Sequence, residues 1–148
     1  MKPEETIDFQ IKRTWQSIAK MYNEEAAGYG VTMATGFVLL NVDSENGTPS
    51  TALGPKMGME ATSMSRILKS MEEKDLISRK PNPVDGRSVL IRLTPFGIDK
   101  RKDAKQAVIN FNNSVFNRFS PDELETFFKV IEGINTMIID HKLESEKV

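Results

Sequence analysis

TSMSRILKSMEEKDLISRKPNPVDGRSVLIRLTPFG, from Thr62 to Gly97, is the stretch on which the reading of this chain turns. With Ala61 before it, it predicts an amphipathic helix, a hairpin with a basic turn, and the start of a further helix. Met64, Ile67, Leu68 and Met71 fall at i, i+3, i+4 and i+7, so one stripe of the helix over about 61–74 is buried. At about 100° per residue, the opposite side carries Thr62, Arg66, Lys69 and Glu73, flanked by Ser63, Ser65 and Ser70. Residues 76–80 and 88–93 read as two strands around a loop holding Asn82-Pro83 and Asp85-Gly86, with Arg87 near the tip. A helix able to enter a groove, next to a basic β-ribbon, is how a winged helix-turn-helix grips DNA. Separately, each half reads as a solvated helix face or an ordinary Asp-Gly turn. Their adjacency and order favour DNA.

The chemistry of these side chains fits that use. Arg66, in the first two turns, can fork onto a guanine edge or a phosphate. Thr62, Ser63 and Ser65 are short hydroxyls that permit close approach, Lys69 can reach the backbone, and the helix N-terminus favours a phosphate. Arg79 and Lys80 of the first strand are further candidates for DNA contact, and Arg87 can extend into a minor groove. Asp85 is expected to orient Arg79 or Arg87 rather than to touch DNA.

Working outward, Ile11, Trp15, Ile18 and Tyr22 recur at helical spacing and predict a first helix ending before Gly28-Tyr29-Gly30. Thr32 is a good N-cap for a second helix to about Val42, and residues 45–49 read as a turn. A third helix over about 50–57 is expected to be short or irregular, because Pro55 is comfortable only in a first turn. Gly58 suits a left-handed C-cap between two steeply angled helices. Thr94-Pro95 opens a long fifth helix to about Phe119, and Ser120-Pro121-Asp122-Glu123 is a capping box for a sixth. The fold class is mainly α with a small β-hairpin wing.

On these residues the chain resembles the MarR family of bacterial winged-helix transcription regulators. The resemblance rests on residues 53–59, on Ser63-Met64-Ser65-Arg66 with Leu68 and Met71, and on residues 73–79. Asp85-Gly86-Arg87 and Leu93-Thr94-Pro95-Phe96-Gly97 are its most specific pieces. It implies a homodimer in which first and last helices interleave and two winged lobes project onto double-stranded DNA. The positions matching Ser63, Ser65 and Arg66 would contact DNA, and Arg87 would enter the minor groove. Residues 1–148 would form one domain, with a winged lobe at 33–97 and a helical dimerisation region at 1–32 and 98–148. Three departures stand out: Gly86 where a second arginine is frequent, Asp75 where glycine usually ends the recognition helix, and Gly54-Pro55 within the preceding helix.

Ala104, Val108, Phe111, Val115 and Phe119 form an apolar stripe on the fifth helix, and Leu124, Phe127, Ile131, Ile134 and Ile138 one on the sixth. One small lobe cannot cover both together with the Trp15 stripe, so a core shared by two chains is expected in preference to an intramolecular bundle. A two-fold dimer implies a pseudo-palindromic operator. The family resemblance also implies release by a small aromatic or amphipathic effector. Trp15, Met21, Tyr22, Met33 and Phe37 are the candidate lining, although such residues at these spacings also make ordinary core.

Bulk properties narrow the classes. The 148 residues, 39% of them hydrophobic, suffice for a core. A net charge of -1 is neutral evidence, since the basic residues crowd the middle of the chain and the acidic ones its end, and binding needs only a local basic patch. With Cys 0, a disulfide framework, a thiolate nucleophile and a cysteine redox switch are excluded. The acidic N-terminal residues do not resemble a signal peptide and no apolar run is long enough for a membrane helix, so a soluble, cytoplasmic protein is expected. There is no phosphate-binding Gly-rich loop with its lysine, no Gly-x-Ser-x-Gly and no His/Cys cluster, so neither an enzyme nor a cofactor or metal is expected. His141, the single histidine, lies near a helix C-terminus, where it complements the dipole. The reading is a dimeric, sequence-specific regulator, a repressor of nearby genes. The alternative is a winged-helix module that binds a protein partner and no specific DNA site.

Overall fold

The computed structural model describes residues 1–147. After a 3-10 turn at Pro3–Glu5 come α1 (Ile7–Gly28), α2 (Met33–Asn41), β1 (Thr48–Pro49), α3 (Ser50–Met57) and α4 (Ala61–Glu73). β2 (Ile77–Pro81), β3 (Val89–Leu93), α5 (Pro95–Arg118) and α6 (Pro121–Glu146) follow. Two compact units can be separated, Met1–Ala107 and the residues from Val108 onward.

Within the first unit, the fully buried Leu39, Leu53, Met71, Leu76, Ile77 and Ile91 join α2, α3, α4 and the sheet in one core. Each such side chain contributes about 1.5–3 kcal/mol by leaving water. Met64, Leu68 and Met71 are the buried stripe of α4, as the spacing requires. Thr32 caps α2 by accepting a hydrogen bond from the Thr35 N–H at 3.1 Å. Gly36 of α2 faces Ala104 of α5, where a Cβ would stand in ordinary contact, 3.5 Å from that of Ala104.

Three helices end by the same device. At α1 the Val31 N–H donates to the Ala26 carbonyl, at α3 the Met59 N–H to Gly54, and at α4 the Leu76 N–H to Met71, at 3.0, 2.8 and 2.9 Å. Each closure needs a left-handed residue, supplied by Gly30 (φ 82), Gly58 (φ 63) and Asp75 (φ 60). Asp75 is the sole non-glycine with positive φ among the described residues, and a short polar side chain tolerates that region best.

One expectation about local structure changes. Thr48-Pro49 is not merely part of a turn: it forms an edge strand antiparallel to β3, pairing Thr48 with Ile91 and Pro49 with Leu90, so the sheet runs β1-β3-β2. Proline is compatible with an edge because its missing N–H faces no partner strand. Gly47 (φ 77) makes this approach possible, since a Cβ there would lie 2.8 Å from the Ile91 carbonyl oxygen. The third helix is short, as expected: Pro55 lies inside it and it ends two residues further on.

The junction from α4 to α5 is tightly bonded. The Thr94 hydroxyl donates to the Asp75 carbonyl at 2.6 Å and accepts from the Gly97 N–H at 2.9 Å. The Thr94 N–H donates to the Leu76 carbonyl at 3.2 Å. A Cβ on Gly97 would collide with that same Leu76 carbonyl, so the position admits only glycine without a shift of backbone. In the second unit, Ser120 and Glu123 form the expected reciprocal capping box, at 3.0 and 3.2 Å. The backbone and hydroxyl hydrogen bonds of Ser120 hold the Glu123 carboxyl below its ordinary range. No side chain of α6 is buried.

Gly97→Ala should lower unfolding free energy by about 2–3 kcal/mol in denaturant titration, because backbone must move to admit the methyl group. At the left-handed Asp75, Asp75→Gly should stay within about 1 kcal/mol of wild type while Asp75→Val loses about 1–2. Equal stability of these two variants would show that the cap carries no strain.

Candidate nucleic-acid interface

Helix α4 is fixed at both ends, by the Gly58 turn before it and the Asp75 closure after it, and its buried stripe fixes its rotation. Thr62, Ser63, Ser65, Arg66 and Lys69 are all exposed, and their side chains make no hydrogen bond or ion pair among the described residues. The N-cap is Glu60, with extended backbone and no side-chain cap. The first-turn N–H groups of α4 are thus left open to an acceptor, which is the arrangement that suits a phosphate oxygen. A row of short hydroxyls with a guanidinium and an ammonium above it can meet a polyanion without first breaking internal bonds.

The wing is organised by Asp85, expected as a structural residue, and by Asn82, which the sequence pattern placed only in the loop. Asn82 accepts hydrogen bonds from the Val84 and Asp85 N–H groups at 3.0 and 3.4 Å and donates to the buried Ser88 hydroxyl at 2.9 Å. Asp85 accepts from the Arg87 N–H at 3.0 Å. Asp85 therefore shapes the backbone under Arg87 and holds neither guanidinium. Arg79 is paired elsewhere, through Nε to Glu72 Oε2 of α4 at 3.3 Å. Gly86 is exposed, lies outside the left-handed region and has open space where a Cβ would be. A tight Asp-Gly turn would need a left-handed glycine, so the wing is instead a wider loop closed by the Asn82 and Asp85 bonds. The guanidinium of Arg87 is exposed and without a partner among the described residues.

Arg79 and Lys80 do not act from one face. Arg79 is opposite Ile91 and Lys80 opposite Leu90, and successive strand residues point to opposite sides of the sheet. Arg79 shares the inner side with Ile77 and Ile91 and borders a cleft of about 620 Å³ that Ser65, Leu68, Met64 and Glu60 also line. Arg92, which the sequence reading left outside the site, donates to the Glu45 and Asn46 carbonyls at 2.8 and 3.5 Å and so fastens the loop before β1. Its signal was only alternation with buried Ile91.

Among the residues considered for an effector, Tyr22 and Phe37 meet edge to face, with centroids 5.8 Å apart. Burial, and then the Glu25 carboxylate, raise the Tyr22 phenol above its ordinary pKa, which keeps it neutral. Met21 and Met33 are half-buried and Trp15 is 49% exposed. Among the described residues there is no group of three side chains able to hold a metal ion, and no helix is long and apolar enough to cross a membrane.

Residues 31–89 match the model of the MarR family, a span running from the start of α2 to the start of β3. The winged lobe is a MarR-family domain. Among curated proteins, the chain is 27% identical over 111 residues to the HTH-type transcriptional regulator SarZ of Staphylococcus epidermidis, covering 75% of this chain and 72% of that protein. MepR of S. aureus, solved as a DNA complex, superposes with a TM-score of 0.83 at 16% identity, over 89% of this chain and 98% of that one. CouR of Rhodococcus jostii, solved with p-coumaroyl-CoA, gives 0.79 at 21% identity, over 90% and 94%. The mostly helical architecture with its small antiparallel sheet is thus the MarR winged helix.

Asp85→Ala should accelerate amide exchange at Arg87 by about three- to tenfold, the worth of one hydrogen bond, while the amides paired between β2 and β3 keep their protection. Unchanged exchange at Arg87 would remove Asp85 from the organisation of the loop.

Proposed function

We propose that this chain is a cytoplasmic, dimeric, sequence-specific DNA-binding transcription regulator that acts as a repressor and is not an enzyme. The observation that carries the reading is the outward row on α4: Thr62, Ser63, Ser65, Arg66 and Lys69, exposed and unbonded, beside a wing that presents Arg87. Arg66 reads a base edge in the major groove, the hydroxyls, Lys69, Arg79 and Lys80 hold phosphates, and Arg87 lies in the adjacent minor groove. Asp85 and the backbone at Gly86 shape the wing.

Residues 33–97 serve as the DNA-binding lobe, with 1–32 and 98–148 as the dimerisation region. Support comes from apolar surface that no part of its own unit covers. On α6, Phe127, Phe128, Met137 and Ile139 are 57%, 55%, 72% and 58% exposed, and on α1 Ile7 is 62% exposed. Surfaces of this kind belong against a partner, and a two-fold pair places two lobes on half-sites about one helical turn apart. A small aromatic or amphipathic effector, bound near Trp15, Met21, Tyr22, Met33 and Phe37, releases the DNA. The ligand carried by CouR supports that part of the reading.

Selection from a random duplex pool tests the central claim and should return pseudo-palindromic fragments. On the best of them, Arg66→Ala should cost about 1–3 kcal/mol and relax the preference at one position per half-site. Arg87→Ala should weaken all sequences alike and make the salt dependence shallower by about one charge; an effect confined to one base pair would make Arg87 a base reader instead. Because Gly86 has ordinary backbone and open surroundings, Gly86→Arg should fold normally and steepen the salt dependence by about one charge. A flat salt response in the wild-type protein would favour the alternative, a winged module that binds a protein partner.

A further inference from the structure

Glu72 is an acidic residue on the helix that would face a polyanion, and simple electrostatics makes it a liability there. Its position suggests a use. Glu73 belongs to the outward row with Thr62, Arg66 and Lys69, whereas Glu72 stands one turn beyond Leu68 and two beyond Ser65, on the flank beside the cleft. On that flank it meets Arg79 of β2, Oε2 to Nε at 3.3 Å, with side-chain exposures of 47% for Glu72 and 34% for Arg79. Three features make this contact informative. The nitrogen nearest the carboxylate is Nε, the inner nitrogen of the guanidinium, in an ion pair without hydrogen-bond alignment. Neither terminal nitrogen of Arg79 makes a hydrogen bond among the described residues. The arginine stem leaves the inner side of the sheet, beside Ile77 and Ile91, and reaches the cleft next to Ser65.

We infer that Glu72 is a positioning residue: its ion pair keeps the Arg79 guanidinium beside α4, Nε toward the carboxylate, and leaves the terminal nitrogens for a backbone phosphate on the Ser65 side of the helix. The inference rests on the DNA-binding reading above and deepens it. An unrestrained arginine loses rotamer entropy on meeting a phosphate, while one drawn to Glu72 has given up part of that freedom already and keeps its forked end for a two-point contact. The ion pair itself, being half exposed, contributes little to stability, so its effect is expected in binding and not in folding.

The sign of the effect separates this role from plain repulsion. Binding of full-length protein is measured on the strongest duplex fragment that the wild type selects from a random pool, across a salt series. Glu73→Ala, which removes an outward carboxylate with no partner, should tighten binding. Glu72→Ala removes the same charge yet should weaken binding about three- to tenfold, the span expected from freeing one long side chain. On an Arg79→Ala background, Glu72→Ala should no longer weaken binding. Arg79→Ala should make the log–log salt slope shallower by about 0.9, the loss of one phosphate contact. Thermal unfolding of Glu72→Ala should match wild type, which excludes a general structural cause. If Glu72→Ala binds as tightly as wild type or tighter, or if its penalty persists without Arg79, the positioning role is wrong while the DNA reading stands. If the wild type selects no fragment, the DNA reading itself fails and takes this role with it.

Discussion

One hydroxyl group fixes where the recognition surface can be. Thr94 donates to the last carbonyl of the α4 closure and accepts from the backbone of Gly97, so the end of one helix and the beginning of another share a single oxygen. Gly97 completes the joint by having no side chain where the Leu76 carbonyl sits. Leu76, whose carbonyl is part of this joint, and the following Ile77 are buried and anchor it to the core. The orientation of Arg66 and the hydroxyl row follows, because α4 cannot turn about its axis without breaking the joint or exposing Met64, Leu68 and Met71.

Much of this was legible from residue order. The i, i+3, i+4, i+7 stripe gave the buried side of α4, and the same periodicity left the outward row exposed, as observed. The Thr-Pro and Ser-Pro-Asp-Glu starts of α5 and α6 were readable because a cap is a local interaction between residues three apart. Gly58 was readable for the same reason. Asp75 was noted as a departure, and the structure resolves it: a short acidic residue adopts the left-handed backbone that glycine would otherwise supply.

What escaped the sequence was non-local or depended on small angular differences. β1 is two residues long, and nothing in Thr48-Pro49 announces pairing with Ile91 and Leu90 far along the chain. The partner of Arg79 was misassigned because Asp85 is nearer in the loop, whereas Glu72 is nearer in space. Asp-Gly suggested a tight turn, but Asn82 organises the wing, and an Asn-Pro pair carries no unique geometry. In the candidate site, residue identities were therefore readable, while which cations are free and which are held required coordinates.

The short β1 has a bearing on how the protein acquires its shape. β3 is paired on both sides, and its outer neighbour precedes α3 and α4 while its inner neighbour follows them. The β2–β3 hairpin closes between neighbouring segments, whereas β1 reaches β3 only across both helices. Helices form on a microsecond scale or faster, and pairings between distant segments come later because closing the intervening loop costs entropy. The two-residue β1 therefore joins the edge of a hairpin already closed between neighbouring segments, and its pairing belongs to the later contacts of folding, while α4 is aimed by the joint at Thr94 and Gly97.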